Sequence, residues 1–129
     1  MDGLISADGF MPFFETSFPG VATMTQAFNQ YDPSLPKLPE YGDLSTQQWT
    51  VGLLIAEAAK AGGVGSTSPL TGAAMLNGIY TLHSTNLGGM TPTLTFVKGQ
   101  PTVNKCWFWV AIQNNKYTMP YGTTPACTS

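Results

Sequence analysis

The sequence predicts a mixed α/β fold, in which three helices lie between a short first strand and a C-terminal β-hairpin. Three patterns lead to this prediction. Residues 19–31 have helical apolar spacing, residues 45–61 form a strongly apolar helix, and residues 106–112 form an aromatic strand followed by a turn. With 129 residues, 43% of them hydrophobic, the chain has the size of one domain and enough apolar residues for a core.

The first two elements are a strand and an amphipathic helix. An apolar run predicts the strand at residues 3–7, and Gly9 and Pro12 follow it. In the helix, one face is predicted to carry Val21, Met24, Phe28 and Tyr31. Because proline disfavours helical geometry in the residue before it, Asp32-Pro33 ends this helix.

The second helix has the clearest signals at its ends. Ser45 followed by Gln48 predicts a capping box, and Gly62 predicts the C-terminus. Asp43 before the cap and Lys60 in the last turn both suit the helix dipole. Apolar residues lie nearly all round this helix, so we expect it to be sandwiched between other elements.

The second half of the chain is predicted to form a helix, a strand and a hairpin. Ser68-Pro69 predicts the start of the third helix, and Gly72 and Gly78 weaken that helix if they lie inside it. Residues 92–96 alternate like a short strand, and residues 106–112 are apolar on both faces, as in a strand covered on both sides. Asn114-Asn115 tolerates positive φ and predicts the hairpin turn.

Charge and hydropathy exclude several classes of partner. Only 9% of the residues are charged, the net charge is −2, and the chain contains no arginine. Nucleic acid binding depends largely on Lys and Arg contacts to phosphate, so we expect no nucleic acid partner. No apolar run is long enough to span a bilayer, and the first residues are not a signal peptide. Any targeting signal is therefore expected outside this chain.

Cys106 and Cys127 have neither zinc-site nor redox-motif spacing, which leaves two free thiols or one disulfide. Cys127 lies in a tail rich in Thr and Pro, without the neighbours that would bury it in a core. We therefore favour the disulfide, which requires an oxidising compartment.

The catalytic motifs of common enzyme classes are missing from the sequence. His83 is the single histidine, so a metal site with two histidines is not available, and no metal or cofactor is expected. There is no Gly-x-Ser-x-Gly elbow to position a nucleophile. The glycines at 62–65 follow a helix instead of a strand, so they do not predict a phosphate-binding loop. We expect a protein that is not an enzyme.

Several segments together carry a family resemblance. They are Asp2-Gly3-Leu4-Ile5, Phe10 and Pro12, Phe28-Asn29-Gln30-Tyr31, Trp49 to Ala61-Gly62-Gly63, Gly88-Gly89-Met90-Thr91-Pro92, Phe96, and Cys106 to Tyr117. In this order they resemble segments in the C-terminal part of a type I periplasmic solute-binding protein, the family of extracytoplasmic receptors of ABC importers for branched-chain amino acids, amides and aromatic acids. These segments cover nearly the whole chain, but none is diagnostic by itself. A C-terminal cysteine pair occurs in some members, in agreement with the disulfide.

The resemblance implies a partial type I fold, with parts of two three-layer lobes that close on a ligand. Residues 1–14 would end the second lobe and form a return crossing. Residues 15–92 would be helices of the first lobe, and residues 93–129 a third crossing with the hairpin and tail of the second lobe. The implied function is capture of a small amino acid-like, amide or aromatic acid ligand for ABC import. An alternative is a self-contained secreted α/β interaction domain pinned by one disulfide.

The resemblance also implies partners and a location. The partners would be the small-molecule ligand, the ABC permease, and either the rest of the same protein or a second copy. The location would be periplasmic or at the cell surface, with or without a lipid anchor. The resemblance does not identify the ligand.

The ligand cleft implied by the resemblance has two walls. The loop before the second helix supplies Tyr41, Asp43, Ser45 and Thr46, because exposed N–H groups and hydroxyls at a helix start suit a carboxylate. The end of the first strand supplies Asp8 and Phe10, since ligands in open α/β sheets lie beyond the carboxyl ends of strands. Structural roles compete for two of these residues: Ser45 as a helix cap, and Asp43 as a charge that favours the helix dipole.

Overall fold

The computed structural model describes residues 2–65, 67–101 and 103–128. Within them it confirms a mixed α/β fold with three α-helices and a small antiparallel sheet. The elements in chain order are β1 (Ile5–Asp8), α1 (Pro19–Tyr31), a 3-10 helix (Leu35–Lys37), α2 (Asp43–Ala61), α3 (Gly72–Thr81), β2 (Cys106–Gln113), β3 (Lys116–Thr118) and β4 (Ala126–Cys127).

The sheet is organised around β2, which pairs antiparallel with β1, β3 and β4. The predicted hairpin between β2 and β3 is confirmed, because Asn114 and Asn115 both have positive φ, at 52° and 58°. Such a turn matches the right-handed twist of the two strands that it joins. In β2, Phe108 and Val110 are buried on one face, and the opposite face carries half-buried tryptophans.

The predicted disulfide between Cys106 and Cys127 is confirmed. The two cysteines are directly opposite each other in the β2–β4 pair, with their Cα atoms 4.0 Å apart. Because β4 has only the residues Ala126–Cys127, the covalent bond is the main constraint that fixes the C-terminal segment to the sheet.

α1 spans the predicted residues, with Pro19 in the first turn. It ends at Tyr31, where the N–H of Asp32 donates to the Phe28 carbonyl at 2.8 Å. Val21 and Met24 are buried, as the apolar spacing predicts. The prediction that Tyr31 belongs to this apolar face is wrong, since Tyr31 is exposed and lies outside the buried face.

α2 ends at Gly62 as predicted, but its start corrects the predicted capping box. The helix begins at Asp43, two residues earlier than expected, and Gly42 is the N-cap. Ser45 is therefore in the first turn, where its hydroxyl accepts weakly from the Gly42 N–H at 3.5 Å. The expected sandwich is also wrong for this chain, because one side of α2 is exposed. That side carries Leu44, Val51 and Ile55.

α3 starts at Gly72, later than the Ser68-Pro69 pair predicts. Thr71 is the actual N-cap, because its hydroxyl accepts from the Ala74 N–H at 3.1 Å and satisfies one free donor of the first turn. Gly78 does lie inside the helix. A Cβ at Gly78 would lie 1.8 Å from the Ala58 carbonyl oxygen of α2, so the absence of a side chain lets the two helix backbones meet.

The predicted strand at residues 92–96 is not formed. In its place, Thr85 and Leu94 form a single antiparallel bridge inside an irregular segment. That segment turns sharply at Leu87, a buried residue with φ of 52°. Pro92 is buried and has no backbone N–H to donate, and proline in a strand interior removes a ladder hydrogen bond.

The core is formed where the irregular segments meet α1 and β2. Its buried members are Met11, Val21, Met24, Leu87, Met90 and Phe108. The N–H of Met11 donates to the Met90 carbonyl at 2.9 Å, which ties two of those segments together. α3 packs closely against α2, whereas the backbones of the helices stay farther from the strands of the described residues. The helices and the sheet are therefore joined through the core side chains and irregular segments.

Candidate functional site

The first wall of the predicted site lies at the end of β1. Asp8 is the last residue of this strand and pairs with Phe108 of β2. Its carboxylate accepts from the Phe10 N–H at 3.1 Å, so the turn that follows the strand holds both predicted residues of this wall. Partial burial raises the pKa of Asp8, against the opposite effect of the Phe10 and Gly9 backbone N–H groups.

Asp43 of the second wall lies close enough to Asp8 for the two charges to interact. Asp43 is an exposed residue at the start of α2, and partial desolvation of its carboxylate is the largest cause of its raised pKa. The negative charge of Asp8 raises this pKa further. A backbone hydrogen bond from Phe13 lowers it in part. The fold thus brings together two carboxylates that are separated by 35 positions in the sequence and that come from a strand end and a helix start.

Phe13 is the residue that sequence reasoning missed at this junction. Besides its backbone contact to Asp43, its ring packs edge-on against Tyr41 and Tyr117, with centroids 5.6 and 5.8 Å apart. Phe14 stacks on Tyr117 at 5.4 Å. The cluster therefore spans the β3 hairpin and the loop before α2. The density of aromatic residues between positions 10 and 18 was the available signal, but it did not indicate which rings face the site.

Tyr41 also forms part of an apolar groove of about 750 Å³. The groove runs between the end of α1, the 3-10 helix and the first turns of α2, and its lining is Phe28, Leu35, Leu38, Glu40, Tyr41, Leu44, Ser45, Gln48, Trp49, Gly52 and Leu53. Phe28 packs edge-on against both Tyr41 and Trp49, at 6.2 and 5.7 Å. This volume lies within the range of small-molecule sites, roughly 300 to 1,000 Å³.

The predicted residues thus divide into three groups. Asp8, Phe10 and Asp43 lie at the junction of sheet and helix, and Tyr41 and Ser45 line the groove. Thr46 is fully buried, and its hydroxyl has no hydrogen-bond partner among the described residues. Trp49, which the spacing places in the core, is half-buried and lines the groove while packing against that core.

The described residues offer few candidate metal ligands close to one another. Across the described ranges, no three His, Cys, Asp or Glu side chains come together in a way that could hold a metal ion. His83 is exposed and lies just after the end of α3. Of the helices in those ranges, none has both the length and the apolar character needed to cross a membrane.

Comparisons with known proteins identified no relative of this chain. No protein-family model, no curated protein and no solved structure matches this chain.

Proposed function

We propose that this chain is part of an extracytoplasmic solute-binding receptor that captures a small amino acid-like, amide or aromatic acid ligand and delivers it to an ABC permease. The observation that carries the proposal is the convergence of Asp8 and Asp43 beside an aromatic groove. In this proposal the ligand shifts the population of the receptor from open to closed lobes, without bond chemistry.

The carboxylate pair suits the ammonium group of an amino acid-like ligand. Asp8 is half-buried and Asp43 is exposed at the helix start, so a cation bound between them would offset the repulsion of the two charges and the partial desolvation that raises both pKa values. Aspartates also bind metal ions, but a third ligand of the usual kind is missing among the described residues. An organic ammonium needs hydrogen-bond acceptors in place of a full coordination shell, so it fits this pair better.

The groove suits an apolar or aromatic part of the same ligand. Tyr41 connects the two places, because its ring contacts Phe13 on the carboxylate side and Phe28 in the groove. Ser45 and Gln48 are the polar residues of the lining that lie on α2, where they could fix the orientation of a bound group.

Two further features support a receptor outside the cytoplasm. The disulfide between Cys106 and Cys127 is compatible with an oxidising location. The exposed apolar side of α2, with Leu44, Val51 and Ile55, would be covered in the complete receptor by another part of the first lobe.

The test is a thermal-shift and calorimetric screen of amino acids, amides and aromatic acids. It uses this chain alone and the receptor in which the chain is reconstituted with the missing segments of both lobes. For any ligand found, we expect Asp43→Asn to weaken binding at least about tenfold, which corresponds to about 1.4 kcal/mol. N-acetylation of the ligand should have a similar effect, because it removes the ammonium charge. Asp32→Asn is the matched control, since Asp32 is an exposed carboxylate outside the site.

Two results would contradict the proposal. One is a complete screen without binding. The other is a ligand whose affinity is unchanged by Asp43→Asn and by N-acetylation, since its binding would then owe nothing to the carboxylate pair.

A further inference from the structure

β1 is an outer strand whose second edge has no neighbour among the described residues. Leu4 and Ile5 are 49% and 56% exposed, and Ser6 and Ala7 are exposed as well. Natural sheets usually protect such an edge with lysine, proline or a covering element. Residues 3–7 contain no charged residue and no proline, so this edge is open to pairing.

The register with β2 shows which backbone groups are free. The Ile112 N–H donates to the Leu4 carbonyl at 2.9 Å, and the pairing continues from Ile5 opposite Ala111 to Asp8 opposite Phe108. In an antiparallel pair, residues alternate between those that bond to the neighbouring strand and those that point away from it. Ser6 and Asp8 therefore bond to β2, whereas the N–H and C=O groups of Ile5 and Ala7 point to the open edge.

We propose that two copies of this chain associate through β1, in an antiparallel pair around a two-fold axis at Ser6. In this register Ile5 faces Ala7 of the second copy, and Ala7 faces its Ile5. Each of these two pairs exchanges two hydrogen bonds, so all four outward groups of each copy are satisfied. This pairing rests on the free backbone edge of β1 and goes beyond the proposed function, although Asp8 belongs to both the edge strand and the proposed ligand site.

The side chains are compatible with this register. Asp8 faces Leu4 of the second copy, so within β1 no two carboxylates are directly opposed. Like charges in that position would be destabilising. The two sheets would join as β3-β2-β1-β1-β2-β3 with β4 beside β2 in each copy, which makes eight strands and lies within the usual range of sheet sizes. The new contact is short, and interfaces below about 1,200 Å² are typically weak, so we expect a concentration-dependent dimer.

Sedimentation velocity and light scattering test the association. We expect the mass to rise from 13.8 kDa towards twice that value as the protein concentration increases. Ala7→Pro should weaken dimerisation at least tenfold, because proline removes an outward N–H that β2 does not use. Ile5→Lys should do the same by placing a charge at the edge. The matched control is Val103→Lys, which changes a residue that is 73% exposed and lies outside the sheet.

A cysteine cross-link tests the register. Residues at a two-fold axis of a non-hydrogen-bonded pair have Cα atoms about 4.5 Å apart, which a disulfide can bridge. We therefore expect Ser6→Cys to form a covalent dimer on oxidation, with the native disulfide intact. Ala7→Cys should not, because in this register it faces Ile5 instead of a second cysteine.

Hydrogen exchange gives a readout that does not depend on any variant. The Ile5 and Ala7 amides should gain protection as the protein concentration rises, whereas the Ser6 and Asp8 amides should be protected throughout. A mass that stays at 13.8 kDa at all concentrations would overturn the proposal. A dimer that is unaffected by both Ala7→Pro and Ile5→Lys would also overturn it.

Discussion

The sheet and the α2–α3 pair are stabilised in different ways. The sheet is built on one central strand, β2. Two features that the local sequence indicates hold its neighbours in place: an Asn-Asn turn with positive φ, and a disulfide between facing residues. The helix pair depends on close backbone approach at glycines. Gly78 lies against the Ala58 carbonyl, and Gly62 lies against the Ala74 carbonyl. The difference teaches that a glycine which lowers helix propensity can be the residue that makes helix packing possible.

Phe108 of β2 is the largest fully buried side chain among the described residues, and its truncation should have the largest effect. Its side chain is 1% exposed and packs in the core together with residues of α1 and the irregular segments. We expect Phe108→Ala to lower the free energy of unfolding by about 4 kcal/mol, from lost burial and the cavity left behind. Chemical denaturation measures this change. Val103→Ala is the control and should stay within about 0.5 kcal/mol, because Val103 is largely exposed.

A second prediction separates the helix pair from the sheet. Gly78→Ala should destabilise the protein by about 2 to 3 kcal/mol, because the new methyl group overlaps the Ala58 carbonyl and the helices must move apart. Gly52→Ala is the matched control. Gly52 lies in α2, and a Cβ there meets nothing within 4 Å, so the substitution should stabilise the helix by about 0.5 to 1 kcal/mol.

The location of the loss is as informative as its size. Hydrogen exchange should show that Gly78→Ala reduces protection in α3 while leaving β2 protected. The two regions would not be as independent as their packing indicates if both glycine substitutions changed the stability in the same direction. The same would follow if the β2 amides lost protection together with those of α3.

The smallest expected effect concerns pH. The pKa values of Asp8 and Asp43 are raised in the folded protein, so the folded state binds more protons than the unfolded state between pH 3.8 and those raised values. Stability should therefore decrease as the pH rises through this window. Asp43→Asn should flatten that part of the stability profile.

Asp32 provides a comparison of opposite sign. Hydrogen bonds from Ser34 lower the pKa of Asp32, so its contribution is present above pH 3.8 and is lost as the pH falls through the lowered pKa. Denaturation curves of both Asn variants at several pH values measure these effects. A change in the same direction for both would contradict the assignment.

Elements with local signals were predictable from the sequence, and elements that depend on tertiary contacts were not. The Asp32-Pro33 step marks the end of α1, and Asn114-Asn115 marks the hairpin. Ser45 was predicted as the cap of α2, but Gly42 adopts the extended cap conformation three residues earlier. The alternation at residues 92–96 did not produce a strand, since the backbone of this segment pairs through the isolated Thr85–Leu94 bridge and one hydrogen bond from the Phe96 N–H to the Leu82 carbonyl in the described residues.

For the site, the sequence identified types of residue better than their arrangement. Asp8 and Asp43 were selected for two separate walls, and the fold brings them within electrostatic range. The contact of Phe13 with Asp43 could not be derived, because it depends on how an irregular segment crosses from the sheet to the helices. The exposure of Leu44 could likewise not be predicted, since an apolar helix has the same sequence pattern whether or not other elements cover it.

The bond between Cys106 and Cys127 closes a ring of chain that contains the whole β2–β3 hairpin. The exposed turn at Asn114-Asn115 and the exposed Lys116 lie on that ring. A protease that cuts there would open the ring without dividing the molecule, because the two ends stay linked through sulfur. The cut protein would keep its size until a reductant separated the pieces. The β2–β3 hairpin can therefore be cut while β4 remains linked to β2.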